Sequence, residues 1–413
     1  MQKINFLKKI KCVATFSIIT LVAALKVQAS PITFCYAEGQ KGSIKGSGLD
    51  TLHPIASVSK VYTSLWALDR LGANYRFKTQ VYITKVDANS YDVHLRGSVF
   101  PYFDQSMLYY LIVQLNQKGV KNINNLTYDQ NFEYGTIIRA RKELRSQNAD
   151  MSETEIMREL RSSITNLSKN YPSFRSQALR LAKVSLPEKV SLSVKDIHHV
   201  SIEEFKSVRT DSSFTINSVP LHRILKEMNR NSHNFAANKI FERLSRTESF
   251  SSYMMKSVSA TNNEIRFVNG SGYPEYINGK KIYNSASCRT SILVIQRLYK
   301  IANSQNIGLR AILPVAGVDA KSDPNSTVTN IYLTNGTDGA LVAKTGTISG
   351  LVSLSGVTLT KENIVFFYTA GTSYGDNRAF LQRIIKDGNG KDPIEGYNPK
   401  AFLPFDENSV SFK

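Results

Sequence analysis

The stretch Ala340-Leu341-Val342-Ala343-Lys344-Thr345-Gly346-Thr347 is β-rich, and the short turn Ile348-Ser349-Gly350 separates it from a second run, Leu351 to Leu359. A third run follows from Ile364 to Ala370. Short apolar runs split by brief turns predict consecutive antiparallel strands. Asp376 to Lys386 then has the spacing of a closing helix. Ile32 to Ala37 reads as another strand. Val61, Leu65 and Leu68, with Trp66 between them, give Ser57 to Leu71 an apolar helical face stopped by Gly72. An antiparallel sheet flanked by helices from both ends of the chain is the natural assembly, an α/β (α+β) fold.

The middle has a different character. Gln80 to Gly97 alternates as strands do, and Ser106 to Gly119 reads as a helix. Residues 136–184 are rich in Arg, Glu, Ser and Leu, with helical spacing at Met157, Leu160 and Ile164. Strand-like and mixed segments follow to about 217, so an inserted, mostly helical and basic subdomain is expected. Helical spacing returns at Leu221, Ile224, Leu225 and Met228, breaks at Asn229–Asn234, and then resumes.

Residues 1–29 have the plan of an export leader. Lys3, Lys8, Lys9 and Lys11 precede an apolar run, Cys12 to Leu25, and Val27-Gln28-Ala29 offers small residues at a cleavage site. The run is short for a spanning helix, which needs about 20 residues, so no stable membrane anchor is expected. The formal net charge is +19, and loss of the leader's five lysines leaves +14. Such a surface attracts anionic polymers. For an exported protein these are cell-wall or membrane polymers, not nucleic acid. Cys35 and Cys288 remain after the leader is lost. They read as two separately buried thiols, with pairing in an oxidising compartment as the alternative. The six histidines are scattered and no Cys/His cluster has zinc spacing, so neither a metal nor a cofactor is proposed.

Three short patterns carry chemistry. Ser57-Val58-Ser59-Lys60 is the only Ser-x-x-Lys in the chain. On a helix, positions i and i+3 share a face, which brings the Lys60 amine to the Ser57 hydroxyl. A neutral lysine there can take the hydroxyl proton, and the helix start aims N–H groups at a developing oxyanion. Lys344-Thr345-Gly346-Thr347 lies on a predicted strand. Its glycine admits the close approach of a ligand or another backbone, and its hydroxyls and Lys344 suit a terminal carboxylate. Ser232-His233-Asn234 fills the polar break between two apolar helices. Ser-x-Asn also occurs at Ser146, Ser168 and Ser304, and context selects Ser232.

In the order Ser-x-x-Lys, Ser-x-Asn, Lys-Thr-Gly, these form the signature of penicillin-recognising serine enzymes. The chain resembles the D-alanyl-D-alanine carboxypeptidases and endopeptidases of the penicillin-binding protein 4 type (peptidase S13 family). The stretches Leu71–Phe77, Phe267–Gly272, Leu313–Asp319 and Ala343–Thr347 add to the likeness, which spans about 30 to 385. The resemblance implies a serine β-lactamase/DD-peptidase transpeptidase-like fold split by an insertion. The expected division is a signal peptide at 1–29, a split catalytic domain at 30–77 and 216–390, an insert at 78–215 and a C-terminal tail at 391–413.

It also implies roles. Ser57 is the nucleophile and Lys60 the general base. Ser232 relays a proton in a network with Lys344, and Asn234 orients the acyl-side amide. Thr345, Gly346 and Thr347 form the substrate strand, and the Ser57 and Thr347 N–H groups form the oxyanion hole. The implied partners are peptidoglycan stem peptides in the periplasm and β-lactam inhibitors. His233 departs from the usual Asn or Asp, and Ile55-Ala56-Ser57 from the usual Pro-Ala-Ser. A Ser-His-Asp hydrolase is disfavoured because no Gly-x-Ser-x-Gly occurs. A β-lactamase and a silent wall-binding protein on the same scaffold remain the alternatives.

Overall fold

The computed structural model describes residues 33–135, 151–205, 210–319, 332, 339–359, 363–385 and 402–412. The leader, and the part of the expected helical insert at 136–150, lie outside these residues. The chain opens with β1 (Thr33–Glu38), β2 (Lys45–Ser47) and β3 (His53–Pro54). A 3₁₀ turn, Ala56–Val58, leads into α1 (Ser59–Leu71). The middle comprises β4 (Lys78–Lys85), β5 (Tyr91–Arg96), α2 (Gln105–Gln117), β6 (Asn122–Tyr128), α3 (Glu153–Thr165), α4 (Leu167–Gln177), β7 (Ser193–His199), α5 (Ile202–Phe205) and β8 (Ser212–Asn217). Next come α6 (Leu221–Arg230), α7 (Asn234–Ser245), α8 (Phe250–Val258), β9 (Ile265–Arg266), β10 (Glu275–Ile277), β11 (Lys280–Ile282), β12 (Ser285–Ala286) and α9 (Cys288–Ser304). The described chain closes with β13 (Leu341–Ile348), β14 (Leu351–Leu359), β15 (Ile364–Gly371), α10 (Tyr374–Ile384) and β16 (Val410–Phe412).

The main sheet runs β13-β14-β15-β1-β2, antiparallel throughout. The three predicted strands at the end of the chain are therefore consecutive neighbours. α9 packs against β15 and β1. α10 contributes Phe380 and Leu381 to a separate apolar layer with Leu341, Ala343, Leu354 and Phe367. Cys35 on β1 and Cys288 at the start of α9 form a disulfide across 253 residues. This overturns the expectation of two separate thiols. Sequence distance hid the pair, and the seating of α9 on β1 brings them together.

α1 is the central helix. Ser59 to Leu68 are all buried, because α6, α7 and α9 pack around it. A helix enclosed on all sides is small or apolar nearly all round, and in this buried run Lys60 is the exception. Trp66 sits among Phe241, Phe250 and Tyr253, with centroid separations of 5.3–5.7 Å.

The middle segment is built on a sheet that takes in the strands read at Gln80–Gly97 and continues into the part expected to be a mostly helical subdomain. Its order is β16-β8-β4-β5-β6-β7, mixed, with β5-β6 and β6-β7 parallel. Parallel neighbours need long crossovers. α2 supplies one, and α3 and α4 lie in the other, so the helical spacing read at 157–164 belongs to a crossover. Residues 402–412, expected as a tail, pack onto this sheet. β16 pairs with β8, Phe405 is buried, and Asp406 pairs with Arg76 at 2.9 Å.

Candidate active site

Ser57 lies in the 3₁₀ turn that leads into α1, one step before the α-helix expected to contain it. In a 3₁₀ turn, residues i and i+3 eclipse, so the predicted meeting still occurs. Lys60 Nζ is 3.2 Å from Ser57 Oγ. The preceding residue, Ala56, has φ +50°. A left-handed alanine is strained, and neighbours must hold it. Ser353 Oγ donates to the Ile55 carbonyl at 2.9 Å, and Ser59 Oγ donates to the Ala56 carbonyl at 2.7 Å.

Lys60 is fully buried. Its amine also lies 2.7 Å from Asn234 Oδ1 and 2.8 Å from the Ser271 carbonyl oxygen. Burial, and then the charge of Lys344, hold the Lys60 amine well below the ordinary lysine range. The geometry suits the neutral amine. Its two N–H groups can go to Asn234 and Ser271, the closer acceptors, which leaves the lone pair for the Ser57 hydroxyl. Lys344 is also buried, and burial pushes it down to about 7. It donates to the Thr345 carbonyl at 2.7 Å.

Ser232 lies in the break between α6 and α7 and Asn234 is the first residue of α7, where their context placed them. Ser232 has φ +53°, which turns the chain sharply between the two helices. Among the described residues its hydroxyl makes no hydrogen bond. His233 caps α7, accepting from the Ala236 N–H through Nδ1 at 3.1 Å, so its side chain turns into the protein. Burial, and then the charge of Lys60, push this imidazole down to about 4. The capping bond requires the neutral ring, with the proton on Nε2.

Lys344, Thr345, Gly346 and Thr347 lie on β13, the edge of the main sheet. The Leu313–Asp319 stretch covers the first half of that edge. Ala343 N–H donates to Pro314 O at 3.0 Å, and Ala316 N–H donates to Leu341 O at 2.9 Å. Alternation then turns the backbone groups of Thr345 and Thr347 to the same outer side. Among the described residues their N–H groups have no backbone partner. A peptide can add along this half as a further strand. Lys226 of α6 fixes the covering stretch, donating to Asp319 Oδ2 at 2.7 Å and Leu313 O at 2.7 Å.

Gly346 serves a neighbour that the sequence did not reveal. A Cβ there would overlap Ser353 Oγ and lie 2.7 Å from the Ile55 carbonyl. The close approach is made by the turn carrying Ser57. Ser271, which holds Lys60 through its carbonyl, was missed because a backbone acceptor leaves no mark in residue type. Its flanking glycines were the available signal. A Cβ on Gly270 would strike the Ala237 carbonyl, and one on Gly272 the Ala56 carbonyl.

A buried, proton-poor lysine under a serine hydroxyl, beside an edge strand bearing a second lysine, defines a serine DD-peptidase of the penicillin-recognising class. Residues 40–138 and 198–390 match the model of the D-Ala-D-Ala carboxypeptidase 3 (S13) family, and the chain belongs to that family. Among solved structures, it is similar to Bd3459, a predatory endopeptidase from Bdellovibrio bacteriovorus in complex with immunity protein Bd3460. Identity is 29% and the TM-score 0.80, over 92% of this chain and 99% of that one. It is similar to Bd0816, a predatory endopeptidase of the same organism, at 30% identity and TM-score 0.79, again over 92% and 99%. Bd3459 also has a penicillin G acylated form, 29% identical to this chain with TM-score 0.77, over 92% and 99%. Penicillin-binding protein 4 (dacB) from Haemophilus influenzae shares the fold at 15% identity and TM-score 0.62, over 87% and 97%. Among curated proteins no match is found.

Proposed function

We propose that this chain is an exported enzyme that cleaves the D-Ala cross-links of peptidoglycan stem peptides through an acyl-enzyme on Ser57. The observation that carries the proposal is the Lys60 amine, buried among Ser57, Asn234 and Ser271 with no carboxylate among its hydrogen-bond partners. Ser57 Oγ attacks the D-Ala carbonyl carbon while its proton passes to Lys60 Nζ. The C–N bond breaks, and the leaving amine takes a proton relayed through Ser232 and Lys344. Asn234 orients the acyl-side amide through the NH₂ end of its side chain, since its oxygen faces Lys60. Thr345 and Thr347 bind the carboxylate or its cross-linked equivalent, with Gly346 keeping the strand close to Ser57. The N–H groups of Ser57 and Thr347 stabilise the oxyanion. Water then hydrolyses the ester, restoring Ser57. β-Lactams enter the same path and stall at the ester.

The Cys35–Cys288 bridge supports an oxidising compartment, and with the leader at 1–29 it supports the periplasm. Among the described residues no helix is long and apolar enough to cross a membrane. The similarity to two endopeptidases over nearly their full length favours cross-link cleavage over trimming of pentapeptides. Purified muropeptides test this. Cross-linked dimers are expected to disappear on digestion, and Ser57→Ala is expected to abolish the loss. Shortening of pentapeptide monomers with dimers intact would reverse the preference. Rapid, repeated destruction of antibiotic would indicate a β-lactamase.

A further inference from the structure

β10 and β11 form a two-stranded sheet of their own, joined by Asn278 and Gly279 at φ +51° and +74°. Their base is tied to the site. Asn269 donates to the Tyr273 carbonyl at 2.7 Å and to Glu275 Oε1 at 2.9 Å. The oxygen of the same amide accepts from the Ser271 N–H at 3.2 Å and the Gly272 N–H at 2.9 Å. Ser271 is the residue whose carbonyl holds Lys60. The hairpin therefore stands beside the nucleophile.

One face of the hairpin is aromatic and cationic. Tyr276 pairs across the strands with Lys281, so the two share a face, and Tyr283 lies two residues beyond Lys281. The Lys281 amine is 5.4 Å from the centre of the Tyr283 ring. Its proton is held more firmly than usual, first by Tyr283 and then by Tyr276 and Tyr273. Of the seven large hydrophobic residues exposed among the described residues, Tyr273 and Tyr276 are two, and Ile277, the next residue on β10, exposes the opposite face of the hairpin. Tyr276 is the most open, at 72%. Such a cluster in water marks a binding surface.

We propose that this face docks the glycan strand of the wall polymer, with tyrosine rings against sugar rings and Lys281 against carboxylates of the attached peptides. The proposal rests on the peptidase reading above and names a part of its substrate that Ser57 never touches. Charge complementarity selects this occupant. The polymer carries free carboxylates and pyranose rings, and the mature chain carries a formal +14.

The test compares substrates of two sizes. Tyr276→Ala combined with Lys281→Ala is expected to slow release of fragments from insoluble sacculi roughly tenfold. Acylation by penicillin and cleavage of a soluble D-Ala-D-Ala tripeptide are expected to keep the parental rate, which also reports an intact fold. Tyr276→Phe, which keeps the ring, is expected to restore digestion. Parental digestion of sacculi by the double variant would overturn the proposal, as would an equal loss on both sizes of substrate. Co-sedimentation of the Ser57→Ala protein with sacculi, with and without the hairpin changes, tests docking even if the peptidase reading fails. Loss of affinity for an inhibitory protein alone, with sacculus binding unchanged, would also count against it.

Discussion

Burial, and then the charge of Lys344, hold the Lys60 amine well below the ordinary lysine range, and burial brings Lys344 down to about 7. The pH dependence follows. The rate of acylation falls in acid as Lys60 gains the proton that occupies its lone pair. It falls again above about 7 as Lys344 loses the charge that serves carboxylate binding. A stopped-flow profile of acylation by a carboxylate-bearing penicillin is expected to be bell-shaped, and Lys344→Arg is expected to remove the alkaline limb. His233 bears on stability. Its folded value, about 4, lies below the ordinary histidine value of 6.5. The unfolded chain therefore binds the proton more readily, and stability present above 6.5 is lost as pH falls towards 4. The loss is on the order of 3 kcal/mol by linkage. His233→Asn keeps a capping oxygen without the titration. Melting curves at pH 7 and 4.5 are expected to show a smaller acid loss for the variant than for the parent.

Helices and strands whose neighbours are close in sequence were legible. The three strands from 341 to 371 and α1 lie within a residue or two of their predicted places, because local periodicity alone specifies them. The placing of Ser232 and Asn234 where α6 gives way to α7 was legible from the polar break between two apolar helices, and the structure brings Asn234 Oδ1 to 2.7 Å from Lys60. What escaped depends on contacts made at a distance. The strands at Gln80–Gly97 were read from their alternation, but nothing local says that β6 and β7 join them in one sheet, and β16 has only three residues. The Ser271 carbonyl and the hairpin beside it depend on how Phe267–Gly272 threads between α1 and α7. Gly346→Ala would push its methyl into Ser353 Oγ and the Ile55 carbonyl, displacing the strained turn before Ser57. Overpacking of this kind costs about 1–3 kcal/mol. Acylation is expected to fall by roughly tenfold or more, since small displacements of a nucleophile are costly. A variant acylated at the parental rate would mean that the close contact does not position Ser57.

Across the whole molecule, the site is assembled from segments nearly 300 residues apart, and the Cys35–Cys288 bridge closes most of that span. It joins β1, next to β15 in the main sheet, to α9, which packs on α1. Cross-links that close long loops stabilise by about 2–4 kcal/mol. Melting with and without a reductant is expected to show a clear fall in Tm on reduction, and Cys288→Ser is expected to match the reduced parent. An unchanged Tm would show that packing of α9 on the sheet suffices without the bond.

All of this converges on one hydroxyl made nucleophilic by a buried neutral amine. Intact-mass measurement after incubation with benzylpenicillin tests that most directly. The expected result is a single long-lived adduct with the full mass of the antibiotic, carried by Ser57 and absent from Ser57→Ala and Lys60→Met. No adduct on the parent, or an adduct that persists in Ser57→Ala, would contradict the account.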